Sequence, residues 1–280
     1  MVRKTTNSPT HRIFMNGLSI IIITLNEEKN LPDCLASAVF ADEIVVVDSG
    51  SADLTRELAE KHRARVIRQD WLGYGKQKAF ALTQARKPWV LSLDADERVS
   101  PGLAAEIKKI LGGEAGKDGF YARRQNYFLG RLMRHGGWER DWVLRLFRRE
   151  KGSFTHSPVH ERIEVEGKTG RLENPLLHYP HATLDDYFLK MDRYTALSAA
   201  DLAERGKRAH WYNLLFNPAF RFFRMYVLER GFLDGYPGLV LAGLYSLYVF
   251  TRYARLWELN QIQSGSGFNV HGSRLRDDED

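Results

Sequence analysis

Cysteine is almost absent: Cys34 is the only one in 280 residues. A single thiol excludes a disulfide framework and a cysteine-based zinc site, and it fits a reducing compartment such as the cytosol. Leu31, Leu35 and Ala38 surround it at helical spacing, so core packing accounts for it, a free cysteine behaving as a small hydrophobe. Long apolar runs are also missing. The run 18–23 is too short for a signal h-region and no small-residue cleavage site follows it. The longest uncharged stretch of the C-terminal third, between Asp234 and Arg252, falls short of the roughly 20 residues of a spanning helix. No helix-turn-helix, zinc-finger or RNA-binding signature occurs, which sets nucleic acid aside as a partner. Acidic residues are the minority charge, 35 against 41 Lys and Arg, and the net charge of +6 favours anionic partners such as phosphates or acidic lipid.

What is present is an alternation. Leu18–Thr24 is a β-branched run of the kind buried on both faces. Asn30–Phe40 carries apolar residues at helical spacing, Glu43–Asp48 is a second strand and Ser51–His62 a helix. Ala64–Arg68, Gly75–Arg86 and Trp89–Leu93 continue as strand, helix, strand, and Ser100-Pro101 caps and opens another helix that stops before Gly112-Gly113. Strand and helix in alternation predict a Rossmann-like, mostly parallel α/β sheet with flanking helices. Phe120–Arg124 and Trp142–Arg148 read as further strands, and from Thr183 the chain turns helical and aromatic. The expected division is an extension over 1–17, an α/β domain over 18–182 whose pattern changes past about 100, a helical region over 183–262, and a tail over 263–280.

Ligands of such sheets sit beyond the carboxyl ends of the strands, where the polar clusters of this chain fall. Asp94-Ala95-Asp96 places two carboxylates at a strand end, an oxygen-ligand pair suited to Mg²⁺ or Mn²⁺ together with phosphate oxygens. Asp48, at the end of the second strand, is placed to accept hydrogen bonds from a base or ribose, whereas Ser49–Ser51 is equally well a turn and helix cap. Asp53 reads as a first-turn acid. The backbone of Thr24, Leu25 and Asn26, with the Glu27 side chain, is placed to line a base pocket, and Glu28 to cap the helix. Gly73-Tyr74-Gly75-Lys76 opens a helix where backbone and Lys76 suit a phosphate, or form only a solvated helix start.

In order, Thr24–Glu28, Val47–Ser51 and Leu93–Glu97 resemble glycosyltransferase family 2. Gly136-Gly137-Trp138, Asp141, Arg145–Arg148 and Val159-His160-Glu161 are similar to the subgroup that includes the lipopolysaccharide core β-1,4-glucosyltransferases. The resemblance, over roughly 18–170, implies a GT-A catalytic domain, with a nucleotide half over about 18–100 and an acceptor half over about 101–182, and transfer of a hexose from a nucleotide sugar, first among them a UDP-sugar, by an inverting displacement. It places Asp48 at the base, and Asp94 and Asp96 at the metal and diphosphate, with Asp96 the direct ligand. The family sets its base in a Glu-Asp pair on the acceptor side; here His160-Glu161 stands there. Glu161 is the candidate base and Asp141 its rival, and the other role for Glu161 is an ion pair with Arg162 or Arg145. His156, His160 and His178 read as structural residues, one of which could complete the metal shell.

The segment 210–255 mixes aromatic residues with Arg221, Arg224, Arg230, Arg252 and Arg255. This predicts an interfacial helix on an anionic leaflet, or a helix packed on the catalytic domain. The expected protein is therefore peripheral on the cytoplasmic face of the plasma membrane and acts on a lipid-linked saccharide. A nucleotidyltransferase and a non-catalytic membrane-bound nucleotide-binding protein are the alternatives.

Overall fold

The structure is a computed structural model and describes residues 16–113, 116–155 and 162–263. The chain divides into two compact units, Met1–Ala182 and Thr183–Asp280.

The first unit is built on β1 (Leu18–Thr24), α1 (Leu31–Ser37), β2 (Glu43–Asp48), α2 (Thr55–Lys61), β3 (Arg65–Arg68), α3 (Tyr74–Gln84) and β4 (Trp89–Asp94). These are followed by β5 (Glu97–Val99), α4 (Pro101–Gly112), β6 (Gly119–Phe128), β7 (Arg131–Leu132), β8 (Trp142–Arg148), β9 (Gly152–Phe154), β10 (Ile163–Val165), β11 (Thr169–Arg171) and β12 (Leu176–His181). The main sheet runs β3-β2-β1-β4-β8-β6-β12-β5, with β7 and β11 also on β6. Strands β3, β2, β1 and β4 are parallel, β8 is antiparallel to both β4 and β6, and β12 returns parallel to β6. The sheet is thus mixed: parallel in the alternating half of the sequence and interleaved with antiparallel strands after it.

The β-branched run of β1 is explained by its two faces. Ile20 and Ile22 pack with Leu31, Leu35 and Leu103 on the α1 and α4 side. Ile21 packs with Val45, Val47 and Ala81 on the α3 side. Cys34 is fully buried in the first layer; burial and the nearby Glu97 carboxylate push its thiol up, so it is inert. Ser100 caps α4, its hydroxyl accepting from the Leu103 N–H at 3.2 Å. On the α3 side the helical cover ends at β4. The outward residues of β6 and β8 beyond it, Tyr121 and Trp142, are only partly covered, and the short β9–β10 hairpin lies beside them.

The second unit contains α5 (Leu184–Glu204), α6 (Trp211–Phe223), which continues as a π-helical turn over Arg224–Leu228, and α7 (Tyr236–Gln263). A capping box starts α5, Thr183 and Asp186 each accepting from the other's backbone N–H. α7 packs against α5 and α6, with the Tyr187 hydroxyl donating to the Leu244 carbonyl and the Ser246 hydroxyl to the Pro218 carbonyl, each at 2.9 Å. Among the described residues no helix is long and apolar enough to cross a membrane.

Candidate active site

β1 pairs with β2 on one side and β4 on the other, so Ile23 faces both Val47 and Asp94. The three polar clusters of the sequence therefore meet on one rim. At the β1 and β2 ends the loops lace together. The fully buried Asp48 accepts from the backbone N–H groups of Gly50 and Ser51, each at 3.0 Å, and from the Thr24 and Ser51 hydroxyls. Asn26, at a positive φ of 54°, donates its N–H to Ser51 Oγ and accepts the Ala52 N–H through Oδ1. The Glu27 N–H donates to Thr55 Oγ1, and its carboxylate accepts from Asn30 Nδ2. Glu28 accepts the Leu54 N–H, while Asp53 accepts the N–H groups of Glu28 and Thr55. Ser49 Oγ accepts from Nε2 of the buried Gln77 on α3. The side chains of Asp48 and Asn26 thus form and join the loops themselves.

Lys76 is exposed, but Lys78, two residues on, is buried and puts Nζ 2.8 Å from Asp94 Oδ1. Arg145 lies 2.5 Å from Asp94 Oδ2 and 2.6 Å from Glu97 Oε1. Arg124 reaches the same Glu97 oxygen at 3.4 Å and grips Asp141 through Nε and one terminal nitrogen at 2.8 and 3.0 Å. Three cations thus alternate with three carboxylates. Glu97 is fully buried, and its second oxygen accepts the Asp94 N–H at 3.0 Å. Burial works against ionisation of Asp94, but Arg145 and Lys78 outweigh it and hold the carboxyl well below the usual range. Arg145 is raised in turn: burial opposes its charge, and Asp94 and Glu97 more than restore it.

The sequence reading assigned no role to Lys78, Glu97, Arg124 or Asn126. Lys78 carried a signal, since it falls in the stripe of α3 that holds the buried Ala81. Arg145 pairs with Asp94 and Glu97, and Glu161, the other carboxylate weighed for it, lies outside the described residues together with His156 and His160.

Asp96 sits in the turn between β4 and β5, with Oδ1 3.6 Å from Nε2 of His178 on β12. His178 Nδ1 is 2.6 Å from Asn126 Oδ1, and the Asn126 amide nitrogen donates to the Trp138 carbonyl and to Asp141 Oδ2. Those two bonds leave Asn126 Oδ1 as an acceptor, so Nδ1 carries the His178 proton and Nε2 turns its lone pair toward Asp96. Burial lowers the His178 pKa despite the opposing pull of Asp96, which favours the neutral ring. Asp141 is lowered as well, Arg124 and Asn126 outweighing burial, and a carboxylate held in this way is a weakened proton acceptor. Beside Asp94, a cavity of about 490 Å³ opens over β6 and β8, bounded by Lys78, Tyr121, Arg124, Trp142, Arg145 and Arg162.

Residues 19–164 match the family described as glycosyl transferase family 2. The lipopolysaccharide core biosynthesis glycosyltransferase LpsC of Rhizobium meliloti is 34% identical, over 88% of this chain and 94% of that protein. An uncharacterized glycosyltransferase of Rickettsia bellii is 30% identical over 87% of each chain. Among solved structures, S. aureus TarS 1-349 matches with a TM-score of 0.44 and 16% identity, over 89% of this chain and 92% of that one. The family match and the near full-length relatives decide against a nucleotidyltransferase and against a non-catalytic binding protein. The chain belongs to glycosyl transferase family 2 and is a glycosyltransferase of the GT-A fold.

Proposed function

We propose that the enzyme moves a hexose, with inversion, from a nucleotide sugar, first among them a UDP-sugar, to a lipid-linked saccharide in lipopolysaccharide core or related cell-envelope glycan synthesis. The observation that carries the proposal is the β4 end, where Asp94 and Asp96 divide their work. Asp94 is held by Lys78 and Arg145, whereas Asp96 shares its face with a neutral, oriented His178. That pairing fits a divalent cation. A ligating histidine characteristically donates its other ring N–H to a fixed acceptor, and Mg²⁺ or Mn²⁺ needs only one or two protein ligands when substrate phosphates supply others. Asp96 and His178 would hold the cation, which when bound neutralises a leaving diphosphate. The name of LpsC supports the choice of acceptor.

The chain's own groups account for the rest. The laced 24–28 and 48–55 loops form the nucleotide end of the rim, with Thr24, Asn26, Glu27, Asp48 and Ser49 shaping it. Lys78 and Arg145 keep Asp94 ionised beside the diphosphate. A carboxylate on the acceptor side takes the acceptor hydroxyl proton as the new bond to the anomeric carbon forms and the old bond's electron pair leaves with the diphosphate. Glu161 is proposed for that role, because Asp141 is engaged by Arg124. The outward face of α6 attaches the enzyme to the cytoplasmic leaflet.

The test is release of nucleoside diphosphate from a panel of nucleotide sugars, with Mn²⁺ and with chelator. Release from one donor that requires the metal is expected, together with a raised metal requirement in Asp96→Asn and in His178→Ala. Full activity of both variants without added metal would sink the cation assignment.

A further inference from the structure

The cavity over β6 and β8 is charged unevenly. Of its four lining cations, Lys78, Arg145 and Arg124 are answered by Asp94, Glu97 and Asp141. Arg162 is the fourth, and among the described residues no carboxylate pairs with its guanidinium. Its position is fixed all the same. Its backbone N–H donates to Thr155 Oγ1 at 2.8 Å, and its carbonyl accepts the Thr155 N–H at 2.9 Å, which closes the β9–β10 hairpin at the cavity edge. The opposite wall is aromatic. Tyr121 on β6 is 37% exposed, and Trp142 on β8 lies two residues along the same strand pair, opposite Arg123. Arg171, which pairs with Tyr121 across β11 and β6, sets its guanidinium 4.8 Å from the Trp142 ring centre and fixes that ring.

Open aromatic faces on a sheet are costly to leave in water unless a flat, partly apolar ligand covers them, and a pyranose ring is such a ligand. A guanidinium beside them that no carboxylate among the described residues answers adds a site for an anion. On the basis of the glycosyl transfer proposed above, we infer that this cavity is the acceptor subsite and that the sugar it takes is negatively charged. The ring lies on Trp142 and Tyr121, and its carboxylate or phosphate meets Arg162. The subsite lies on the β6–β8 side of Asp94, away from the loops at the β1 and β2 ends, so it is separate from the nucleotide end of the rim.

The experiment uses the full chain with UDP at saturation and titrates glucose, glucuronate and glucose 6-phosphate by ligand-observed NMR. Either charged sugar, or both, is expected to bind about tenfold more tightly than glucose, the scale of one charge-assisted hydrogen bond; which of the two does so tells carboxylate from phosphate. Arg162→Gln should erase that preference and leave the affinities for glucose and UDP unchanged. Trp142→Leu should weaken all three sugars, and Trp142→Phe, which keeps a ring, should recover most of the loss. Equal binding of neutral and charged sugars overturns the inference, as does indifference to Arg162→Gln. A loss of UDP affinity in Arg162→Gln also overturns it, because the cavity would then hold the donor diphosphate. Binding of UDP to the unaltered chain is read separately, so failure of the donor assignment is distinguishable from failure of the subsite.

Discussion

Asp141 and Glu161 compete for one role, and a single residue's surroundings decide what each substitution should show. Asp141 gives both oxygens to Arg124 and one also to Asn126, and these bonds lower its pKa against the pull of burial. It is built to hold Arg124 in the ion-pair chain. Asp141→Asn should therefore cost about 1–3 kcal/mol of stability, the usual loss when a buried donor is left short of its hydrogen-bond partner, and transfer should stay within about tenfold of the unaltered enzyme. Glu161→Gln should leave the melting curve in place and lower transfer by roughly 10²–10⁴-fold, the scale of a lost general base. Thermal melts beside turnover for both variants settle it: a loss of that size in Asp141→Asn alone would make Asp141 the base. The same neighbourhood shows what a sequence hides. Asp94 and Asp96 stand out by their place after a strand, but Glu97 meets Arg145 across 48 residues and Arg124 across 27. Nothing local encodes those partners. Strand register across β4, β8 and β6 creates them, and register is a property of the whole sheet.

Elements were legible where periodicity was strong. β1, β2 and β4 are expected from their apolar runs, and their common rim follows from parallel pairing. The antiparallel insertion of β8 was not legible, because charged residues interrupt the strands around it. Phase within α3 mattered too. Lys76 and Lys78 both suit a phosphate by type, but the stripe of α3 against the sheet buries only Lys78. At the other end of the same layer, Glu43 joins three elements. It accepts the Ser19 hydroxyl of β1 at 2.6 Å, the Arg86 N–H after α3 at 2.9 Å and the Arg65 guanidinium of β3 at 3.2 Å. Burial raises its pKa, but these donors outweigh burial and hold it below the ordinary 4.5. A depressed folded pKa means that the stabilisation is present above the unfolded value and is lost as pH falls through the folded one. Denaturant melts from pH 7 down to about 3 should thus show a steeper acid loss in the unaltered chain than in Glu43→Gln. Parallel pH profiles would remove Glu43 from the acid response.

At the scale of the molecule, the question is what the second unit adds to a transferase. Its uncharged stretch after Asp234, the most apolar part of the C-terminal sequence, lies in α7, which packs against α5 and α6. Exposed apolar side chains occur on all three helices, and on α6 with its π-helical extension they form a stripe: Trp211, Leu215, Phe216, Phe220, Phe223 and Val227 recur at helical spacing, with Phe216 58% and Phe220 60% exposed. Between Arg205 and Leu228 there are basic residues and no acidic ones. A water-facing stripe of large aromatics with arginines beside it is the composition of a helix that lies in the headgroup plane, and such a helix would concentrate the enzyme on the surface that carries a lipid-linked acceptor. Two forces would hold it, and they separate by salt. Each arginine near an anionic leaflet contributes about 1 kcal/mol, within a Debye length that shortens from about 10 Å at 0.1 M salt to about 3 Å at 1 M, whereas the buried aromatic area is insensitive to salt. Flotation with anionic liposomes should therefore fall at high salt without vanishing, and neutral liposomes should retain a weaker, salt-independent fraction. Phe216→Asp combined with Phe220→Asp should abolish the fraction that survives high salt, while nucleoside diphosphate release in solution is unchanged. No flotation of the unaltered chain, or equal flotation of the double variant, would show that the α6 stripe meets something other than lipid.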